Sequence, residues 1–104
     1  MLEKERKRIE AIRRKIDRLD LICTGTLLER TKVCGKPNCR CATDPNARHG
    51  PYREWNRREG GRLRHRAVSI SEAERIGLAM NDYQQLLEYL QQWEEESIRI
   101  ILKR

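Results

Sequence analysis

The sequence predicts an α+β fold with an N-terminal helix, a small antiparallel β-hairpin or three-stranded ribbon, and a long C-terminal helix that pairs as a coiled coil. Apolar residues recur at spacings of three, four and seven over residues 2–20 and again over residues 76–101. This is the pattern of a helix with one apolar face. Between these helices, a Gly60-Gly61 pair separates two short arginine-rich runs, which is typical of a tight hairpin turn.

The chain is long enough for one domain, residues 1–104, but is short of core-forming residues. Hydrophobic residues make up 38% of the sequence, charged residues another 38%, and phenylalanine is absent. A domain of this size buries only about 60–65% of the surface that its unfolded chain exposes. A metal ion, a disulfide or a subunit interface is therefore expected to stabilise it. We divide the domain into an N-terminal helix (1–22), a zinc-binding loop and β-ribbon (26–70) and a C-terminal helix (71–104).

The N-terminal helix is predicted from one narrow apolar stripe in an otherwise charged segment. The residues of this stripe are Leu2, Ile9, Ile12, Ile16 and Leu19. Because so narrow a stripe buries little surface, the helix needs a partner to remain folded. A break is expected at Thr24-Gly25, and residues 26–33 are predicted to form a short strand with Leu27 and Val33 on one face.

Residues 34–51 have the composition of a loop, with two glycines, three prolines and three of the chain's four cysteines. A structureless loop of this length is uncommon in a compact domain, so we expect the cysteines to hold it together. The charged N-terminus does not resemble a secretory signal, and no apolar run is long enough to span a membrane. We therefore expect a cytoplasmic protein with no membrane partner, in which clustered cysteines are more often metal ligands than disulfides.

The predicted ligands of one structural zinc ion are Cys34, Cys39, Cys41 and His49. Three thiolates and an imidazole are ligands that Zn²⁺ binds at tetrahedral corners. Four protein ligands leave no position for water or substrate, which favours a structural site over a catalytic one. Two alternatives are reduced thiols in a surface loop and an iron–sulfur cluster with Cys23 as the fourth ligand. His65 is a less favoured candidate for the fourth ligand.

These motifs resemble a family of small uncharacterised proteins from bacteria, archaea and their phages and mobile elements. The resemblance rests on Gly25-Thr26-Leu27, Arg30, Cys34-Gly-Lys-Pro-Asn-Cys-Arg-Cys41 and His49-Gly-Pro-Tyr52. It extends over nearly the whole chain, and the cysteine motif is its most specific part. The resemblance implies the same order of helix, cysteine loop, hairpin and long C-terminal helix, with the three cysteines and His49 acting together. It implies no activity.

A two-residue loop at Gly60-Gly61 would set the register of the hairpin. The predicted pairs are Arg57 with Arg64, Trp55 with Arg66, and Arg53 with Val68. One face would then carry Trp55 and the arginines at 53, 57, 62, 64 and 66. A three-residue loop would instead place Leu63, His65 and Ala67 on the side of Trp55, because side chains alternate between the two faces of a strand.

The arginines of this ribbon predict binding to nucleic acid, with DNA favoured over RNA. The predicted contact residues are Arg48, Arg53, Trp55, Arg57, Arg58, Arg62, Arg64 and Arg66. Arginine binds two phosphate oxygens at once, and Trp55 and Tyr52 could stack on exposed bases. A two-stranded ribbon also fits the major groove of a DNA duplex. The alternative is a solvated polar surface that only keeps the protein soluble.

The C-terminal helix is predicted to begin with a capping box at Ser71-Glu72-Ala73-Glu74. The helical pattern continues for about 30 residues, or about 45 Å. Residues 1–70 have a net charge of +10 and residues 71–104 a net charge of −3. This difference predicts that the C-terminal helix lies antiparallel to the basic N-terminal helix.

A second class of function is a protein–protein interaction or adaptor module. In this hypothesis the helices form a homodimer, and the zinc loop is the part that docks to a partner. An enzyme is not expected, because the sequence has no paired carboxylates near a histidine, no phosphate-binding loop and no serine–histidine arrangement.

Overall fold

The structure, a computed structural model, describes residues 1–103 and has the predicted α+β architecture. Its elements are α1 (Glu3–Asp17), β1 (Thr26–Lys32), β2 (His49–Glu59), β3 (Arg62–Val68) and α2 (Ile70–Leu102). Two short 3-10 turns, Arg40–Ala42 and Pro45–Ala47, lie between β1 and β2. The chain forms two compact units: a helical unit (residues 1–23 and those from 78 onward) and a sheet unit (residues 24–77). No helix within residues 1–103 is long and apolar enough to cross a membrane.

In the helical unit, α1 and the later part of α2 run antiparallel, as the charge pattern predicts. Successive contacts join Glu5 to Lys103, Arg8 to Glu96, Arg13 to the ring of Trp93, and the backbone of Asp20 to Asp82. As the residue number increases from 5 to 20 in the first segment, the number of the residue that it contacts decreases from 103 to 82, so the two segments run antiparallel. The coiled-coil packing of these helices, and any pairing with a second copy, stay predictions.

Few apolar side chains in the described chain are well covered. Among residues 1–103 the buried hydrophobic residues are Ile12, Cys41 and Ala79, and no large side chain is fully buried. In the stripe predicted on α1, Ile12 is buried, Ile9, Ile16 and Leu19 are half-buried, and Leu2 is exposed. On α2, Leu87, Leu90, Ile98 and Ile101 remain exposed. One chain thus covers only part of the apolar surface of its own helices.

The cap of α2 is Ser69, so the predicted capping box at Ser71 is wrong by two residues. The Ser69 hydroxyl accepts a hydrogen bond from the backbone N–H of Glu72 (3.0 Å), and the Glu72 carboxylate accepts one from the N–H of Ser69 (2.9 Å). The same bond from the Ser69 backbone lowers the pKa of Glu72. Both serines stand three residues before a glutamate. Because β3 ends at Val68 and α2 begins at Ile70, Ser69 is the residue that lies at the cap position.

The three strands form an antiparallel sheet in the order β1-β2-β3. Between β2 and β3, Trp55 pairs with Arg66 and Arg57 pairs with Arg64, which confirms the register predicted from a two-residue loop. Gly60 and Gly61 both have positive φ, at 56° and 82°, a conformation that tight hairpin turns require. β1 supplies the third strand, and β2 begins at His49, so the predicted loop 34–51 is shorter than expected.

Alternation along the strands gives the sheet two faces. The arginine face carries Arg53, Trp55, Arg57, Glu59, Arg62, Arg64 and Arg66, together with Leu27 of β1. The tyrosine face carries Tyr52, Glu54, Asn56, His65 and Ala67, together with Arg30 of β1. The beginning of α2 lies against the arginine face, because a Cβ added to Gly77 would be 3.7 Å from Cδ1 of Leu27.

Candidate functional site

The cysteine loop connects β1 to β2, and its ends are brought together by the sheet. Lys32 pairs with His49, so Cys34, just beyond β1, lies near the first residue of β2. Inside the loop, the N–H of Cys39 bonds to the carbonyl of Lys36 (3.2 Å) and closes a turn. Cys41 follows in the first 3-10 turn. These local turns direct the inner two cysteines back towards the two residues at the ends of the loop.

The structure brings the four predicted ligands together. Their ligand atoms all lie within 4.8 Å of one another. The Sγ atoms of Cys34 and Cys41 are 3.5 Å apart, those of Cys39 and Cys41 are 3.3 Å apart, and Nε2 of His49 is 3.4 Å from Sγ of Cys39. A tetrahedral site with metal–sulfur bonds of about 2.3 Å holds its sulfurs about 3.8 Å apart. The cluster therefore has the donor set and nearly the size needed to hold a metal ion.

The cysteines of this cluster are free thiols. The sulfur separations exceed the roughly 2.05 Å of a disulfide by more than an ångström. Cys41 is buried, Cys39 is half-buried, and Cys34 and His49 are exposed. A cation at this cluster would be shielded from solvent on the side of Cys41 and would be accessible on the side of Cys34 and His49.

Hydrogen bonds within the cluster shift the pKa values of two thiols in opposite directions. The backbone N–H of Cys41, followed by the thiols of Cys41 and Cys34, lowers the pKa of Cys39. For Cys41, the backbone N–H of Cys34 favours the thiolate, but burial and the neighbouring thiols outweigh it and raise the pKa. The raised pKa means that Cys41 gives up its proton less readily, and a metal ion would displace that proton, because a thiolate is the form that binds metal.

The other two candidates for the fourth ligand lie elsewhere. Cys23 belongs to the helical unit, where its backbone N–H bonds to the carbonyl of Ala79. His65 lies on the tyrosine face, where its Nδ1 is 2.7 Å from Oδ1 of Asn56. His49 is the residue that completes the group of three cysteines.

The predicted nucleic-acid contacts lie in the sheet unit with differing exposure. Six of the eight are on the arginine face: Arg53, Trp55, Arg57, Arg62, Arg64 and Arg66. Arg58 lies on the opposite face, and Arg48 precedes β2 at the end of the cysteine loop, which contains the metal cluster. Arg48, Arg58 and the three arginines of β3 are exposed, whereas Arg53, Trp55 and Arg57 are half-buried.

Glu59 lies close to three of these arginines, a role that was not predicted from the sequence. Its carboxylate lies 2.8 Å from Arg66, 3.9 Å from Arg57 and 4.0 Å from Arg64. One carboxylate neutralises one of three guanidinium groups, so this cluster retains a net positive charge. The only available signal was the position of Glu59 beside the Gly-Gly turn, opposite Arg62.

Trp55 is held in place by the chain that leads into β1. Its indole N–H donates to the carbonyl of Thr24 (3.0 Å), and a Cβ added to Gly25 would lie 2.7 Å from the same nitrogen. Arg57 lies over the ring, 5.9 Å from its centroid. The close approach of the backbone explains why residue 25 is a glycine, which has a φ of 118° here.

A family described as a domain of unknown function, DUF6788, matches residues 2–77. The chain belongs to this family. The match extends over α1, the metal loop, the sheet and the first turns of α2. It confirms that the chain is a member of an uncharacterised family, while the link to phages and mobile elements stays a prediction. The comparisons with curated proteins and with solved structures found no match.

In this DUF6788 chain, the net positive charge is concentrated in the sheet unit. Residues 24–77 contain 12 Lys/Arg and six Asp/Glu, a net charge of +6, whereas the remaining residues contain 11 and ten, a net charge of +1. The same unit contains the metal cluster. The basic surface and the candidate metal centre therefore share one small antiparallel scaffold.

Proposed function

We propose that this DUF6788 protein binds nucleic acid, DNA in preference to RNA, through its sheet unit. The observation that carries the proposal is the net charge of +6 on residues 24–77, most of it from arginines on three short strands. A phosphate backbone attracts such a surface and releases its counterions on binding. Arginine adds bidentate hydrogen bonds to phosphate oxygens.

We infer further that the metal of the loop is one zinc ion with a structural role. Three thiolates and one imidazole are a donor set that zinc prefers. With four protein ligands the coordination shell is closed, so the metal has no position for a substrate, and we propose no catalytic activity. The ion would join the end of β1 to the start of β2 and so hold the sheet that presents the arginines.

The arrangement around Glu59 supports the role of the arginine face. The carboxylate holds the guanidinium groups of Arg64 and Arg66 within 4.0 Å in a defined cluster on β3. Both side chains are still more than half exposed, at 59% and 56%. Phosphate oxygens can therefore reach them without unfolding of the sheet, and the excess of cations over Glu59 leaves the cluster attractive to an anion.

The proposal is tested by binding labelled single-stranded and duplex DNA at 50–200 mM salt. With about four to six phosphate contacts, log K should fall against log salt with a slope of roughly −3 to −5. Replacing Arg62, Arg64 and Arg66 together with glutamine should weaken binding and make the slope shallower by up to about 3. The exposed positions of these side chains predict little change in folding stability.

The matched control removes the same charge from the helical unit. Lys7 and Arg14 are exposed on α1 and Arg18 is exposed directly after it, and their replacement with glutamine should leave affinity and slope nearly unchanged. Weak, salt-insensitive binding by the wild type would contradict the proposal. Equal losses in the two triple variants would also contradict it, because binding would then follow net charge and not the arginine face.

A protein-interaction module is the second candidate, and the exposed apolar residues on α2 favour it. Leu87, Leu90, Ile98 and Ile101 lie on one side of the helix and are 43%, 45%, 48% and 76% exposed within the described chain. In this hypothesis the helices dimerise, and the metal loop docks to a protein. Such docking would not show the salt slope expected for phosphate contacts, so the same titrations distinguish the two functions.

A further inference from the structure

A cleft on the tyrosine face lies next to the metal loop. Its volume is about 150 Å³, and its walls include Arg30, Lys32, Tyr52, Glu54 and His65. Tyr52 is only three residues after His49 and is 45% exposed. The cleft thus combines an open aromatic ring with several cationic or ionisable groups.

Glu54 holds two of these groups in place. Its carboxylate is 3.1 Å from Nε of Arg30 on one side and 2.8 Å from Nδ1 of His65 on the other. Oδ1 of Asn56, a buried residue, also lies 2.7 Å from Nδ1 of His65. Nδ1 thus faces two oxygen atoms, and the tautomer with the proton on Nδ1 is the one that donates to them. The second ring nitrogen, Nε2, is then left to exchange a hydrogen bond with a ligand.

Lys32 and Tyr52 form the outer part of the cleft. Nζ of Lys32 lies over the tyrosine ring, 5.5 Å from its centroid, and no carboxylate in the described chain lies within salt-bridge distance of it. Lysine is a flexible point charge, so it can turn from the ring to a phosphate when a flat group occupies the ring. An aromatic surface beside such a cation matches one nucleotide, with its base on the ring and its phosphate on the amine.

The tryptophan of the opposite face is less suited to this task. The Trp55 ring is half-buried, its N–H is bonded to Thr24, and Arg57 lies over it. The beginning of α2 also lies against that face, at Leu27. A base would have to displace these groups, whereas on Tyr52 it displaces one lysine side chain.

We propose that Tyr52 is the base-stacking residue of this protein and that the cleft takes one unpaired nucleotide of a single strand. The inference rests on the proposed nucleic-acid binding and adds a site to it. Bases in a duplex are stacked on each other, so their faces cannot reach a tyrosine ring in a sheet. The arginine face binds backbone phosphates, and the cleft gives the preference for single-stranded segments.

The test compares a short oligothymidine with an abasic phosphodiester strand of the same length, over the same range of salt concentrations. Tyr52→Ala should weaken binding of the oligothymidine by roughly 5- to 150-fold, the usual range for loss of one stacked base. It should leave binding of the abasic strand unchanged. Tyr52→Phe should bind both strands as the wild type does, because stacking needs only the ring. Lys32→Gln should weaken both strands by the same factor, because it removes a phosphate contact.

A second measurement uses the unaltered protein, so it remains informative if Tyr52→Ala disturbs the nearby metal loop. A strand containing 5-iodouracil should form its photocrosslink at Tyr52. A crosslink at Trp55, or an equal effect of Tyr52→Ala on both strands, would overturn the inference while salt-dependent binding persists. If neither strand shows salt-dependent binding, the proposed function itself fails.

Discussion

The three cysteines of the cysteine loop have different contacts, although each thiol lies within hydrogen-bonding distance of another ligand atom of the cluster. Cys41 is the buried member and contacts both other sulfurs. Cys39 contacts His49 and so joins the inner turn to the start of β2. Replacing any one of them removes a ligand and also a link between two parts of the loop. The loss should therefore affect both metal content and local order.

At this scale we predict that Cys39→Ser abolishes metal binding, whereas Cys23→Ser does not. The purified wild type should contain about one zinc per chain, measured by elemental analysis under reducing conditions. Structural zinc sites contribute on the order of 10 kcal/mol of binding free energy, so the Cys39 variant should lose order in the loop and in β2. Wild-type protein without stoichiometric metal, or with a disulfide between Cys34 and Cys41, would contradict the zinc site.

At the scale of single elements, α2 illustrates how a strand determines where a helix begins. The sequence contains the same serine-to-glutamate spacing at Ser69 and at Ser71. The first of them becomes the cap, because β3 ends at Val68 and α2 begins at Ile70, which leaves Ser69 between the two elements. The two bonds between Ser69 and Glu72 then satisfy backbone N–H groups that have no partner within the helix.

We predict that Ser69→Ala lowers the free energy of unfolding by about 1 kcal/mol, the usual cost of losing a capping hydroxyl. Ser71→Ala should change it by no more than a few tenths, because Ser71 is exposed and lies inside the first turn. Urea unfolding of both variants measures this difference, provided that the m-value is unchanged. A larger loss for Ser71→Ala would mean that the helix begins two residues later in solution.

At the scale of the whole molecule, the scarcity of buried apolar residues is the main feature. The described chain has three buried hydrophobic residues, and one of them is a ligand of the candidate metal centre. The exposed residues Leu87, Leu90, Ile98 and Ile101 share one side of α2 with Glu94, while α1 exposes mainly lysine and arginine. A second copy offers both an apolar stripe and a basic helix, so its surface complements the acidic and apolar surface of α2.

We therefore expect a homodimer through the helical unit. Sedimentation equilibrium at micromolar concentration should give twice the mass of one chain. Combined Leu87→Gln and Ile98→Gln substitutions should reduce it to the mass of one chain, because burial of apolar surface drives the association. Leu63→Gln, which replaces an exposed leucine of β3, should leave the dimer intact. A wild-type monomer under these conditions would contradict the expectation.

The features that the sequence alone determined are those set by neighbours along the chain. Helical spacing predicted α1 and α2, the Gly60-Gly61 pair predicted the turn and the β2–β3 register, and ligand spacing predicted the four-residue metal cluster. In each case the interacting residues are separated by a short segment, so few alternative arrangements compete.

Only the tertiary structure decided the contacts between segments that are distant in sequence. Thr24 and Trp55 are 31 residues apart, yet the indole N–H donates a hydrogen bond to the Thr24 carbonyl, and Trp55 is half-buried. The pairing of β1 with β2 likewise brings Arg30 beside Tyr52 and creates the cleft. The period of two along a strand shows which residues share a face. It does not show which strand lies beside it, because β1 and β2 are separated by a long loop and their pairing depends on the packing of the whole sheet.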